Sequence, residues 1–391
     1  MIKLKRLLFL ALISVLALVL LGCSSPAAET PAVQEESAPA EEESAPAEEE
    51  SAPAEEEMAE EEAASDNSDF KFALVMPNPL GDRSFIDSAN RGALQAIEEL
   101  GVTGTVIETN GIPEHEAALR AAIQGGNDLV LGLAIDAELL LSLAEEFPDQ
   151  LFGAPSDVFA ESLPDNLAAF QIDVHESSFL AGLVAGSMTE TKKVGAVVGG
   201  DAPSLNQFFY GYKQGVMEVC PDCEVLVSYL GFEFSNPTLG LETALSQYEE
   251  GADIVFQIAG RSGEGVLEAA AQTGNFAIGV DSNQDWIQPG SVIVSMLKRV
   301  DVTTYKLIEN TLNGEFQGGF SALGLADGAA GLSWDEGSNT FAEEGPDNMT
   351  AKLDDVKATV EQYREQILSG EYEVCDALNP TAACDGIAPA E

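Results

Sequence analysis

From Phe70 onward, short apolar runs alternate with stretches of helical period. Strand-like runs fall at 72–76, 102–108, 129–133, 151–154, 167–171, 193–198, 224–229, 254–258 and 276–280. They are brief and continuously apolar, the pattern of parallel strands covered on both faces. Helix-period segments lie between them, at 84–100, 114–124, 175–188, 205–219, 238–250 and 263–273. A further strand at 291–297, a helix at 301–313, a glycine-rich stretch to Trp334 and a last helix at 348–369 complete the series. The strand–helix order, run through once and then repeated, predicts an α/β fold of two doubly wound Rossmann-like lobes. The late elements are expected to return to both lobes, so that several strands form the hinge. Lobe 1 is expected over 70–172 with a return near 296–320. Lobe 2 is expected over 173–295 with the segment 321–372, followed by a tail at 373–391.

The pattern before Phe70 differs. Lys3, Lys5 and Arg6 precede an uncharged apolar run from Leu7 to Leu21, which ends at Leu20-Leu21-Gly22-Cys23-Ser24-Ser25. A basic start, a short apolar core and small residues at the cut make a secretory signal peptide over 1–22. The run is short for a spanning helix, which needs about 20 residues. The cut site resembles a bacterial lipobox, L-x-G-C. That likeness implies lipidation (palmitate included) at Cys23 and a mature protein anchored to the outer face of a membrane. Residues 23–69 then repeat the unit SAPAEEE from Ser37, Ser44 and Ser51. Without aromatic residues and rich in Glu and Pro, this stretch is expected to be an extended, disordered stalk.

The formal net charge of the chain is -50. The part before Phe70 holds 17 of the 67 acidic residues and 3 of the 17 Lys and Arg. The folded part therefore remains strongly acidic, which argues against a nucleic-acid partner and, unless the cleft is locally basic, against an anionic ligand. Besides Cys23, the cysteines form two close pairs, Cys220 with Cys223 and Cys375 with Cys384. In an exported protein two local disulfides are the first expectation. A redox-active C-x-x-C, a four-cysteine zinc site and free thiols stay open as alternatives.

Catalytic patterns are scarce. His115 and His175 each precede a Glu, but neither lies in H-E-x-x-H. Both fall near helix starts and are expected to be surface or capping residues. No serine lies in G-x-S-x-G, and neither a Walker loop nor G-x-G-x-x-G occurs. An enzyme is therefore disfavoured, and neither cofactor nor metal is expected. In open α/β sheets, ligands sit beyond the carboxyl ends of the strands. The loop after the first strand, Pro77 to Phe85, carries Asp82 and Ser84, which also suit a helix start. The loop after 254–258 is a glycine-rich turn, Ala259-Gly260-Arg261-Ser262-Gly263, able to offer backbone N–H groups. Asp281 follows the strand at 276–280 and is a natural acceptor for hydroxyl groups, although an Asp so placed is by itself more often an Asx turn or a helix cap.

Six segments carry a family resemblance: LGDRSF at 80–85, HESSFLAG at 175–182, KVGAVVGG at 193–200, GYKQGV at 211–216, IGVDSNQ at 278–284 and LKRVD at 297–301. In this order and spacing they resemble the basic membrane protein (BMP) family, substrate-binding lipoproteins of bacterial ABC importers similar to purine-nucleoside receptors. The resemblance runs from about Phe70 to the final helix. It implies type I periplasmic-binding-protein architecture, with a nucleoside enclosed between the lobes. Phe85 would stack on the base from lobe 1, and Phe234 or, one register away, Phe232 from lobe 2. Ribose hydroxyls would go to Asp281, Lys298 and the backbone around Gly260, with Asp157 as a further candidate. Two positions depart from the family pattern: Ile86 replaces the usual Asn after the stacking Phe, and Met76 replaces an Asp near the first strand end.

The sequence thus points to an ABC-importer receptor for a neutral, nucleoside-like solute, expected as a monomer that delivers its ligand to permease subunits. A signalling receptor with the same lobes, a receptor for a non-nucleoside solute, a secreted nucleoside hydrolase and a stalked adhesin are the alternatives.

Overall fold

The computed structural model describes residues 67–388. The expected signal peptide, the Cys23 lipidation site and most of the stalk lie outside the described residues.

Two six-stranded sheets form the framework. Lobe 1 contains β1 (Asn67–Met76), β2 (Val102–Glu108), β3 (Leu129–Gly132), β4 (Leu151–Ala154) and β5 (Leu167–Ile172). Its helices are α1 (Phe85–Leu100), α2 (Ile112–Gln124) and α3 (Ala137–Glu146). The chain then enters lobe 2 through α4 (Val174–Met188), β6 (Lys193–Val198), α5 (Pro203–Val219), β7 (Glu224–Tyr229), α6 (Pro237–Glu249), β8 (Ile254–Ile258), α7 (Gly263–Thr273), β9 (Phe276–Asp281) and β10 (Val292–Lys298). It returns to lobe 1 for α8 (Val300–Leu312) and β11 (Gly319–Leu323), then goes back to lobe 2 for β12 (Ala330–Leu332). Two short helices, α9 (Thr340–Glu344) and α10 (Asp347–Thr350), and the longer α11 (Leu353–Leu368) follow. Strand orders are β11-β5-β4-β3-β1-β2 and β12-β10-β9-β8-β6-β7. Every pairing is parallel except that of β12 with β10.

The chain crosses between the lobes three times, at 172–174, 298–300 and 323–330. The excursion into lobe 1 therefore spans 300–323 rather than 296–320, because all of β10 pairs inside the second sheet. The glycine-rich stretch before Trp334 holds two strands that the hydrophobic pattern does not announce. β11 is a largely exposed edge strand, and β12 has three residues. β11 is too exposed and β12 too short to show in the sequence.

The two motifs at 175–182 and 211–216 form one contact. α4 is buried on nearly every side, and α5 crosses it backbone against backbone. A side chain at Gly182 would meet the Tyr212 carbonyl, one at Gly211 that of His175, and one at Gly215 that of Phe179. Only glycine allows this approach, and it fixes α5, whose amino-terminal half faces the cleft. Cys220, just past α5, is bonded to Cys223, and Cys375 is bonded to Cys384.

Candidate functional site

The loop after β1 is held by carboxylates. Glu108 accepts from the Leu80 N–H (2.9 Å), and Asp87 accepts from those of Gly81 (2.8 Å) and Arg83 (2.9 Å). Asp82 accepts from the N–H groups of Ser84 (3.0 Å), Ile86 (2.9 Å) and Asp87 (3.0 Å). Burial pushes the Asp82 carboxyl up, and the three N–H groups offset part of that shift. Both Asp82 oxygens are engaged by the first turn of α1, so the residue caps that helix, the role its place at a helix start suited.

Capping by Asp82 frees Ser84. Its hydroxyl makes no bond to its own helix. It donates instead across the cleft to Asp281 Oδ2 at 2.6 Å, with the Val280 carbonyl at 3.3 Å. Asp281 ends β9 with φ +66°, a left-handed conformation that non-glycine residues adopt at some strain. Burial pushes its carboxyl up to about 6, opposed by the Lys298 charge and the Ser84 hydroxyl. Three more polar contacts join the lobes here. Ser282 Oγ donates to the Ser84 carbonyl (3.1 Å), Arg91 Nη2 to Ser282 Oγ (3.0 Å), and Gln284 Nε2 to the Arg83 carbonyl (3.2 Å). The Arg83 guanidinium also lies 5.5 Å from the Trp286 ring.

Lys298, at the end of β10, extends this wall. Its side chain is 6% exposed and its ammonium donates to both oxygens of Asp157, at 2.9 and 2.8 Å. The same ammonium lies 4.8 Å from the Phe85 ring centre and 5.6 Å from that of Phe208. Two aromatic rings, one from each lobe, therefore meet at one buried cation. Phe208 was not anticipated from the sequence. It sits in the first half of α5, beyond the carboxyl end of β6, and the strand-end rule applied to that helix would have pointed to it.

Phe234 is placed differently. It is half-buried against Gly199, and its carbonyl accepts from the Ser262 N–H at 3.1 Å. Gly260 borders it with φ +54°. Phe234 and Gly260 thus form one unit of lobe 2, with Phe232 beside them at 60% exposure. The two departures from the family pattern, Met76 and Ile86, are both buried in the core. Neither offers a polar group to a ligand.

His115 departs from the surface or capping place expected of it. His115 is buried, with Nε2 3.3 Å from the Pro77 carbonyl. His175 stands at the first crossing, where burial pulls its pKa down against the charges of Asp376 and Asp173. Among the described residues no cluster of three His, Cys, Asp or Glu side chains could hold a metal ion. No helix there is long and apolar enough to cross a membrane. A cavity of about 420 Å³ lies beside Phe170, Leu307 and Phe316. It is remote from the strand carboxyl ends and contains none of the candidate residues.

Buried carboxylates, a buried ammonium and two rings between two lobes can bind a neutral, flat, hydroxyl-bearing molecule. A family model described as "ABC transporter substrate-binding protein PnrA-like" matches residues 70–371. Basic membrane protein D of Borreliella burgdorferi is 31% identical over 68% of this chain and 79% of its own length. The CD4+ T-cell-stimulating antigen of Listeria innocua is 28% identical over 81% of this chain and 91% of its own. Among solved structures, an ABC transporter solute-binding protein of Aeropyrum pernix superposes with a TM-score of 0.69 at 31% identity, covering 78% of this chain and 93% of that one. One from Conexibacter woesei gives 0.62 at 25% identity, covering 79% and 99%.

Proposed function

The chain belongs to the PnrA-like family of ABC-transporter substrate-binding proteins, and on that premise we propose that its ligand is a neutral nucleoside enclosed between the lobes. The family binds solutes outside the cytoplasm and is not enzymatic. The observation that carries the ligand reading is the wall formed by Phe85, Lys298, Asp157 and Asp281. Rings at Phe85 and Phe208 supply faces for a base. The Asp281 and Asp157 carboxylates supply acceptors for ribose hydroxyls, and a deoxy analogue would leave such an acceptor unpaired. With Met76 and Ile86 in the core, the base edge is read elsewhere than at those positions. Ligand bridging both lobes shifts the population toward the closed form, which delivers the nucleoside to the permease. The protein acts from a lipid anchor at Cys23, with the acidic stalk as spacer.

The test is calorimetric and thermal-shift titration of the purified protein with adenosine, guanosine, inosine, cytidine and uridine. Saturable binding of one of them, with a melting shift that grows with its concentration, is expected. A folded protein that binds none of the five would refute the nucleoside reading. Phe85→Ala should weaken binding by about 1–3 kcal/mol, the worth of one stacking ring, at nearly unchanged melting temperature. Equal losses of stability and affinity would place Phe85 in the core instead of the cleft.

A further inference from the structure

Lobe 2 buries a carboxylate that ligand contact leaves unexplained. Asp285 is 2% exposed and accepts from three serine hydroxyls. Ser295 Oγ donates to Oδ1 at 2.7 Å, and Ser333 Oγ and Ser338 Oγ donate to Oδ2 at 2.7 and 2.6 Å. Ser295 belongs to β10, whereas Ser333 and Ser338 flank the turn after β12. Burying a carboxylate is unfavourable by several kcal/mol, and charge-assisted bonds from well-placed donors offset that.

The cage has a direction. A serine hydroxyl has one proton, and here all three protons go to Asp285. The serine oxygens are thereby turned to accept. Ser295 Oγ accepts from the Gln284 N–H (3.0 Å), and Ser333 Oγ from the Ser295 N–H (2.9 Å). Gln284 Oε1 accepts from the Val280 N–H (3.0 Å) and from Gln257 Nε2 (2.6 Å). That orientation leaves Gln284 Nε2 to donate to the Arg83 carbonyl of lobe 1. A chain of bonds runs from the buried anion through Ser295 and Gln284 to the other lobe, and Asp281 lies in the turn that the Gln284 side chain closes.

We infer that Asp285 is the positioning residue of the cleft, its serine cage presetting the turn 281–286 so that Asp281 faces the ligand and Gln284 engages Arg83 as the lobes close. The inference rests on the ligand-binding role given above to Asp281. It is tested in the whole protein by two independent measurements. The first is the affinity of Asp285→Asn for the five nucleosides. The amide keeps the shape but cannot accept from all three serines, and about tenfold weaker binding is expected, the effect of one lost buried hydrogen bond. Gln284→Met cuts the chain one link further on. If Asp285 acts through Gln284, the double variant binds no more weakly than the worse single variant. Additive losses would indicate separate structural roles and overturn the inference.

The second measurement needs no ligand. Spin labels on Glu138→Cys in α3 and Glu268→Cys in α7, both exposed, report the distance between the lobes. Asp285→Asn should widen the distribution. An unchanged distribution overturns the inference even if no nucleoside binds, so its failure is distinct from failure of the nucleoside reading. Should Asp285→Asn not fold, Ser338→Ala removes one donor and carries the same two measurements, with a smaller shift expected in each.

Discussion

Asp281→Asn is expected to weaken nucleoside binding at pH 7.5 by tenfold or more and, at the same time, to raise the melting temperature of the free protein. The carboxyl is buried, and burial raises its pKa to about 6 from the usual 3.8. A pKa raised on folding means that the folded state holds the proton more tightly than the unfolded chain. The group therefore subtracts stability progressively as pH rises from about 4 through about 6, and the full deficit is present above that. Two pH units correspond to about 3 kcal/mol. The asparagine variant removes this deficit while its carbonyl still accepts from Ser84. Binding runs the opposite way. Hydroxyl groups of the ligand need the ionised acceptor, so wild-type affinity should rise with pH through about 6 and the variant's should stay flat. Calorimetry between pH 5 and 8 with parallel melting curves checks both. A wild-type affinity independent of pH across that range would remove Asp281 from the ligand contact.

Lys298→Met should act on the same titration from the other side. The Lys298 charge opposes the burial that raises Asp281, so without it the acid limb of binding moves to higher pH. At pH 6.5 the variant is expected to bind more than tenfold more weakly, with partial recovery toward pH 8. Stability should fall as well, since Asp157 loses its partner. Breaking a fully buried pair costs about 3–5 kcal/mol. Asp157 is 31% exposed at its side chain, so water screens it and about 1–3 kcal/mol is expected here. A methionine keeps apolar contact with Phe85 and Phe208, which separates loss of charge from loss of packing. An acid limb that does not move would show that the Lys298 charge is not felt at Asp281.

These two residues illustrate how far the sequence could be read. Asp281 and Lys298 end strands, and strand ends are visible because the apolar runs before them are short and bounded. Their motifs, IGVDSNQ and LKRVD, are contiguous stretches that carry the resemblance only together with the other segments, in order and at family spacing. The partners were not visible in the same way. Ser84 lies 197 positions from Asp281, and Asp157 lies 141 from Lys298. Asp82 and Ser84 looked alike as helix-starting residues two positions apart. The fold uses the first as the cap and turns the second toward the other lobe.

The sequence by itself determined the order of elements, the pairing of strand with crossover helix and the division into two lobes. These follow from local periodicity and from the rule that a parallel strand needs a helical return. It also carried the segments 175–182 of α4 and 211–216 of α5, because each is a contiguous stretch of sequence. Tertiary structure alone decided which sheet each late strand joins, that Phe208 shares the Lys298 ammonium with Phe85, and that Asp285 collects three serines. β11 is a largely exposed edge strand and β12, though buried, has only three residues, so both leave little trace in the hydrophobic pattern. A polar side chain finds its partner only when distant segments are packed together, and the energy of that bond depends on burial that no window of sequence contains.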